Sequence, residues 1–370
     1  MPTLIEARAP GKLVLAGEYA VLEGSPGLAV AVDVRAEARI TSVPGPGNQL
    51  TIPDTGATFK FRWVPGSGPR WEGNSPGALG LPLEACAEIL TVRGLLPRAS
   101  ELPPVRIELS TAAFYQTSED GHRVKLGLGS SAAVVVALTG ALLRLAGGQA
   151  LPRQELIAVC CEAHRRLQGG AGSGIDVATA VTGGVVAIDF SRQVGPEARV
   201  PQAHPVSWPR RLSMVAVWSG QSASTPAMLG RLRAFRERDA ARFSSHMERL
   251  GANAGQAVAA WQAEDLGGLL SAISGYEAGL RRLDEAAGIG IFSPAHERLR
   301  AIALEHGAVY KPSGAGGGDF GIALTDSHRI EQALRAAYAK AGCMTLDADL
   351  RAPGLSLHSS GTPPGLRGLG

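Results

Sequence analysis

One stretch constrains the fold more than any other: KLGLGSSAAVVVALTGALLRLAGG, residues 125–148. Past Lys125 it runs without a charged side chain until Arg144. A helix with no polar face has to be covered on all sides, so residues 131–146 predict a buried helix inside a layered core. A single capping serine would satisfy the first turn of such a helix. Gly127, Leu128, Gly129, Ser130, Ser131 and Ala132 supply a surplus of small residues that asks for a ligand. First-turn N–H groups lack partners inside a helix, and the helix dipole adds partial positive charge there. Glycines let backbone come close to an anion, so the loop reads as a phosphate cradle. It is not a Walker A loop, because GxxxxGK[ST] is absent. Lys125, just ahead of it, puts a cation where a polyanion would need one.

The chain has 370 residues, enough for two domains or one large one. With 45% hydrophobic and 19% charged residues it reads as an ordinary globular protein. Glycine is the outlier: 48 residues, clustered at 127–129, 169–174, 183–184 and 314–321 in the manner of binding loops. A net charge of +3, no run of five basic residues and sparse aromatics argue against nucleic acid as the partner. An anionic small molecule fits. Cys86, Cys160, Cys161 and Cys343 form no CxxC pair and read as buried reduced thiols. No basic region followed by a long apolar run opens the chain, and no segment is apolar enough to span a membrane. The chain therefore reads as cytoplasmic.

Residues 4–42 predict strands around a turn, 44–76 hairpin or loop, 79–94 a helix and 104–111 a strand. Helices follow at 131–146 and 152–167, then a strand at 184–190. The segment 191–210 holds three prolines and weak periodicity, which places a boundary there between domains 1–195 and 196–370. A strand at 212–220 opens the second half. Helices are expected at 226–249, 252–262, 265–286 and 294–306, then strand–loop–strand over 308–324, a helix at 328–341 and a last strand near 344–350. The tail from His358 reads as frayed.

Three further motifs carry chemistry. Lys12 is the only lysine in the apolar stretch APGKLVLAGEYAVLEG, where an ammonium is costly without a partner such as Asp176 or a bound phosphate. GGAGSGIDVATAVTGG offers Asp176 as a helix cap or as a site carboxylate. SGAGGGD, residues 313–319, has too many glycines to make a good strand and reads as a loop wrapping a ligand, with Lys311 as a further candidate cation.

The order of these motifs, Lys12 strand, GLGSS helix, SGxD and GAGGGD, resembles the GHMP family of small-molecule kinases over residues 5–350. GEYAVLEG, with Tyr19 where mevalonate kinases have histidine, KPSGAGGGDFGIAL, with Asp319, and VWSGQSAST are similar to the phosphomevalonate kinase branch. The resemblance implies an α+β, two-domain fold: a half like the second domain of ribosomal protein S5 and a ferredoxin-like C-terminal half. It implies ATP and Mg²⁺, with Lys12, Lys125 and Asp176 catalytic and Gly127 to Ala132 on the phosphates. Ser131 would also touch the metal, and Gly316, Gly317 and Gly318 would close over the site. Lys12, Tyr19, Ser173, Gly174, Ser224 and Ala315 would meet the acceptor.

Two departures stand out: Gln221 where some relatives carry lysine, and no well-spaced metal glutamate, Glu162 being the nearest. The activity so implied is phosphorylation of phosphomevalonate by ATP. A hydroxyl acceptor, as in mevalonate kinases, is the second reading, and a silent sensor of ATP and a metabolite is the third. Arg35, Arg39 and Arg123 lie near the motifs in sequence as possible partners of the acceptor. Oligomeric state is not legible.

Overall fold

The computed structural model describes residues 3–45, 47–96, 102–117, 121–148, 150–170, 172–190 and 200–360. Strands β1 (Leu4–Ala16) and β2 (Gly27–Ser42) form a long antiparallel pair. The first six residues of β2 are buried without alternation, while Val34, Ala36, Ala38 and Ile40 alternate with more exposed neighbours. The first half is therefore covered on both faces, and the second half on one. A sheet grows around this pair from β3 (Asn48–Ile52), β4 (Ala57–Val64), β5 (Gly68–Glu72), β6 (Val105–Ser110), β9 (Val185–Asp189) and β10 (Gln202–Val206). Its order is β10-β9-β2-β6-β3-β4-β5, with β1 on β2, and among the described residues only the β3–β6 pair is parallel. The expected hairpin region thus makes three strands.

Helices α1 (Leu81–Val92), α2 (Ser130–Leu145), α3 (Arg153–Leu167) and α4 (Ile175–Thr182) pack together, and α2 and α4 lie against β1 and β2. Helix α2 is buried along almost its whole length, as a sequence uncharged up to Arg144 requires. A short hairpin, β7 (Tyr115–Thr117) with β8 (Arg123–Lys125), leads into it.

The C-terminal half is built on β11 (Ser213–Trp218), β12 (Val309–Pro312) and β13 (Phe320–Thr325), ordered β11-β13-β12. Val215, Val217 and Ala323 face a small core with α8 (Pro294–Glu305) and α9 (His328–Lys340). Met214, Ala216, Ile322 and Leu324 face the main core, as period-two alternation dictates. Helices α5 (Thr225–Arg238), α6 (Ala240–Gln262) and α7 (Leu266–Ala287) complete this half.

Several expectations are corrected. The break between the first two long helices falls at Asp239, whose carboxylate caps α6 by accepting the Arg242 N–H at 3.0 Å. Gly251, inside α6, is there for close approach: a Cβ would sit 2.5 Å from Ser25 Oγ. Residues 344–350 form only single bridges, Thr345 with Val217 and Leu350 with Val32. His358–Ser360 are not frayed; they belong to β14 (Ser356–Ser360), which pairs with β1, while 361–370 lie outside the described residues. β10 and β14 therefore join the first sheet although both lie beyond residue 195, and the 195/196 boundary itself falls outside the described residues. Cys86, Cys160 and Cys161 are buried free thiols, but Cys343 is only half-buried. Among the described residues no helix is long and apolar enough to cross a membrane.

Candidate active site

The phosphate loop is stitched to β1 by backbone. The Lys12 N–H donates to the Leu128 carbonyl at 2.9 Å, and a Cβ on Gly11 would lie 2.8 Å from the same oxygen. This contact aims Lys12 along the loop. Gly129 caps α2 at φ 84, and a Cβ there would meet Lys12 Cγ at 3.3 Å and Asp176 Cβ at 3.8 Å. Lys12, the loop and Asp176 are thus neighbours, assembled from β1, α2 and α4. The Lys12 ammonium lies 3.6 Å from where a Gly314 Cβ would be, under the second glycine loop. Among the described residues it makes no ion pair with Asp176, whose Oδ1 instead accepts the Val177 N–H at 3.0 Å.

These groups line a cleft of about 500 Å³ between the halves. Lys125, Gly127, Ser131, Tyr19, Ser173 and Ala315 line it as well. Leu128, Ser130 and Ala132 are buried beneath the loop, so they shape it from below. Gly174 caps α4 at φ 80 with Cys161 Sγ 2.8 Å from its would-be Cβ, and it supports Ser173 from behind. Ser224 caps α5; its neighbours Ser222, Ala223 and Thr225 line the cleft in its place. Gly316, Gly317 and Gly318 are not among the residues that line the cleft. Cβ atoms on Gly316 and Gly318 would meet Ile291 at 2.6 Å and Gln221 O at 2.7 Å, and the Gly317 N–H donates to the Ile291 carbonyl at 2.7 Å. Their lack of side chains serves backbone-to-backbone packing. Gln221 Nε2 pins the Gly317 carbonyl at 2.7 Å.

Three residues that the sequence did not assign to the site, Glu18, His164 and Asp319, belong to its structure, and Lys311, a candidate cation by sequence, has a different place in it. Glu18 and Lys311 form a buried ion pair, with side chains 2% and 0% exposed, joining β1's turn to β12. The Gly314 N–H also donates to Glu18 Oε1 at 3.3 Å. Lys311 is therefore neither a ligand cation nor a solvated one; burial lowers its pKa and Glu18 opposes the shift. His164, buried on α3, shares a hydrogen bond with the Ser131 hydroxyl at 3.1 Å. Asp319 adopts φ 58, accepts the Ala223 N–H at 3.1 Å, and occupies the space that a Cβ on Gly127 would need. Burial raises its carboxyl above the ordinary carboxylate range, against the pull of the Ala223 N–H, Lys12 and Lys125.

The halves also meet where Ser222 Oγ donates to the Lys125 carbonyl at 2.6 Å and where the Tyr19 hydroxyl donates to the Ala315 carbonyl. Burial pushes the Tyr19 phenol well above its ordinary pKa, so it stays a donor. Glu162 lies outside the cleft lining and is paired with Arg93.

The family model described as GHMP kinases N terminal domain matches residues 90–184, and that described as GHMP kinases C terminal matches 257–342. A phosphomevalonate kinase of Streptomyces sp. (strain CL190) is 32% identical over 345 residues, covering 87% of this chain and 90% of the relative. The chain is a GHMP kinase. This GHMP kinase shares its two-domain α+β fold with a Lin0012 protein from Listeria innocua at TM-score 0.80, 24% identity and 96% and 99% coverage of the two chains. The Streptococcus pneumoniae phosphomevalonate kinase solved with phosphomevalonate and AMPPNP superposes at TM-score 0.72, with 21% identity and 93% and 99% coverage.

Proposed function

We propose that this GHMP kinase transfers the γ-phosphoryl group of ATP to the phosphate of 5-phosphomevalonate, giving 5-diphosphomevalonate. The reading is supported by likeness to a phosphomevalonate kinase along 87% of the chain. The observation that carries it is the placement of Lys12 and Lys125 together on the lining of the cleft, at the glycine loop. Two polyanions must approach there: unit charges 4 Å apart repel by about 4 kcal/mol at an effective dielectric of 20. Cations on the transfer line answer that repulsion.

Phosphoryl transfer asks for positioning and charge stabilisation more than covalent chemistry. The first-turn N–H groups of α2 and the backbone of Gly127 and Gly129 hold the ATP phosphates. Lys125 and Lys12 flank the migrating group and stabilise charge as it develops. A phosphate acceptor has its second pKa near about 6, so it arrives largely dianionic and needs no base. Asp176 then orients the acceptor.

Magnesium fits the donors present, because the Ser131 hydroxyl and the Asp176 carboxylate are hard oxygens. Among the described residues no group of three or more His, Cys, Asp or Glu side chains converges on a metal, which suits an ion shared with substrate phosphates. When bound, it would neutralise phosphate charge. We place the reaction in the cytoplasm, where buried free thiols such as Cys86 and Cys160 are at home.

A hydroxyl acceptor is the second reading, favoured by the closeness of Asp176 to Lys12 across Gly129. The test is ADP release from Mg-ATP with mevalonate, phosphomevalonate and homoserine offered separately. Turnover is expected with phosphomevalonate; turnover with mevalonate alone would reverse the order of the two readings.

A further inference from the structure

The cleft does not end at the acceptor residues. Val21, Leu22, Gly172, Ser173 and Leu229 line it on one side and a second cavity, of about 560 Å³, on the other. Three guanidiniums, Arg165, Arg233 and Arg236, line that second cavity against one carboxylate, Glu23. Arg236 pairs with Glu23 at 3.0 Å and lies over the Phe243 ring, 5.2 Å from its centroid. Arg233 sits one turn earlier on the same face of α5, and among the described residues it has no carboxylate partner. The cavity lining thus holds more guanidiniums than carboxylates, and it adjoins the catalytic cleft through these five shared residues.

The acceptor proposed above is anionic at both ends, a phosphate at one and a carboxylate at the other. The lysines lining the cleft, Lys12 and Lys125, both stand at the phosphate loop. Lys311 is buried against Glu18. The three arginines singled out by sequence position are engaged elsewhere: Arg35 with Asp33, Arg39 with Glu6, and Arg123 over Tyr115 at 4.5 Å. Among the described residues, further guanidiniums next to the cleft are those of Arg165, Arg233 and Arg236, which line the second cavity.

We propose that this cavity is the carboxylate subsite of the acceptor, with Arg233 as its principal contact and Arg165 and Arg236 setting the field around it. The inference rests on the phosphomevalonate reading. A guanidinium fork matches a carboxylate in two parallel hydrogen bonds, a geometry that lysine does not reproduce. The subsite selects acids that carry a carboxylate at the end opposite the phosphate, and it leaves phosphorylated alcohols and sugars without that anchor.

The experiment compares phosphomevalonate with its carboxamide analogue, in wild type and in Arg233→Ala and Arg233→Lys. Arg233 is exposed on a helix, where alanine is well tolerated. In wild type the carboxamide should raise the acceptor KM by about 10- to 100-fold, the range of a charged hydrogen bond. Arg233→Ala should raise the KM for phosphomevalonate by a similar factor, leave the KM for ATP unmoved, and no longer discriminate between the two acceptors. Arg233→Lys should recover part of the loss. Wild-type turnover of phosphomevalonate, with Arg233→Ala as discriminating as wild type, would overturn the inference and leave the reaction standing. No wild-type turnover of phosphomevalonate would instead remove the acceptor reading, and the subsite with it.

Discussion

Lys125 and Lys311 both stand beside a glycine-rich loop, and their surroundings give them opposite tasks. Lys125 is exposed at the rim of the cleft, and Lys311 has no exposed surface at all. Lys125→Ala should therefore lower kcat by about 100- to 1,000-fold, the effect of removing one transition-state contact, without shifting the melting temperature. Lys311→Met should do the reverse in the first instance. It leaves Glu18 buried and unpaired, at a cost of about 3–5 kcal/mol, readable in urea denaturation. Equal stability of the two variants would contradict this division.

Only part of this difference was legible in the sequence. Lys12 could be read as a site residue because an ammonium in an apolar strand demands a counter-charge. Lys311 makes the same demand, but its partner lies 293 residues earlier, and no local pattern announces a contact at that range. Glu18, next to Tyr19, carries no local signature of its pairing for the same reason.

Among the elements, the second glycine loop shows what spacing alone conceals. A run of glycines reads equally well as a lid over phosphate or as backbone packed on backbone. The structure has the second for Gly316 and Gly318, and it adds a support that no motif marks. His296, on α8, holds the loop: its Nε2 donates to the Gly318 carbonyl at 2.8 Å, and its Nδ1 accepts from the Tyr310 hydroxyl at 2.7 Å. That arrangement needs a neutral ring, and burial lowers the His296 pKa from 6.5 to about 4.

Because the folded value lies below the unfolded one, the unfolded chain binds more protons between them. Stability is fully present above about pH 6.5 and is lost as pH falls toward about 4, by up to about 3 kcal/mol. Denaturant melts across that window should show the decline, and His296→Gln should flatten it. A wild-type stability that is level from pH 7 to 4 would be inconsistent with a neutral, loop-holding histidine. The break at Asp239 teaches a related lesson. The sequence places a helix break at 250–251, but Gly251 is a point of close approach to Ser25, which only the tertiary neighbour reveals.

For the whole molecule, the two halves are less separable than a boundary drawn in sequence suggests. β14 returns to the edge of β1, and β10 extends the first sheet after the chain has left it. The Tyr276 hydroxyl donates to the Glu18 carbonyl at 2.6 Å, close to the Glu18–Lys311 pair. The turn after β1, part of the cleft lining, is therefore tied to the C-terminal half by these contacts. Part of the cleft's lining was legible because the first glycine loop, Lys12 and Asp176 each carry a local signature. The arginine cavity was not, because its lining comes from α3, α5 and the turn after β1, with no shared motif.

The central claim is that a phosphate, rather than a hydroxyl, receives the transferred group. Phosphorus NMR of the product formed from phosphomevalonate and Mg-ATP tests this most directly. The monoester signal should be replaced by a coupled pair of diphosphate signals as ADP appears. A phosphomevalonate signal that persists unchanged, with a new monoester arising only when mevalonate is supplied, would contradict it.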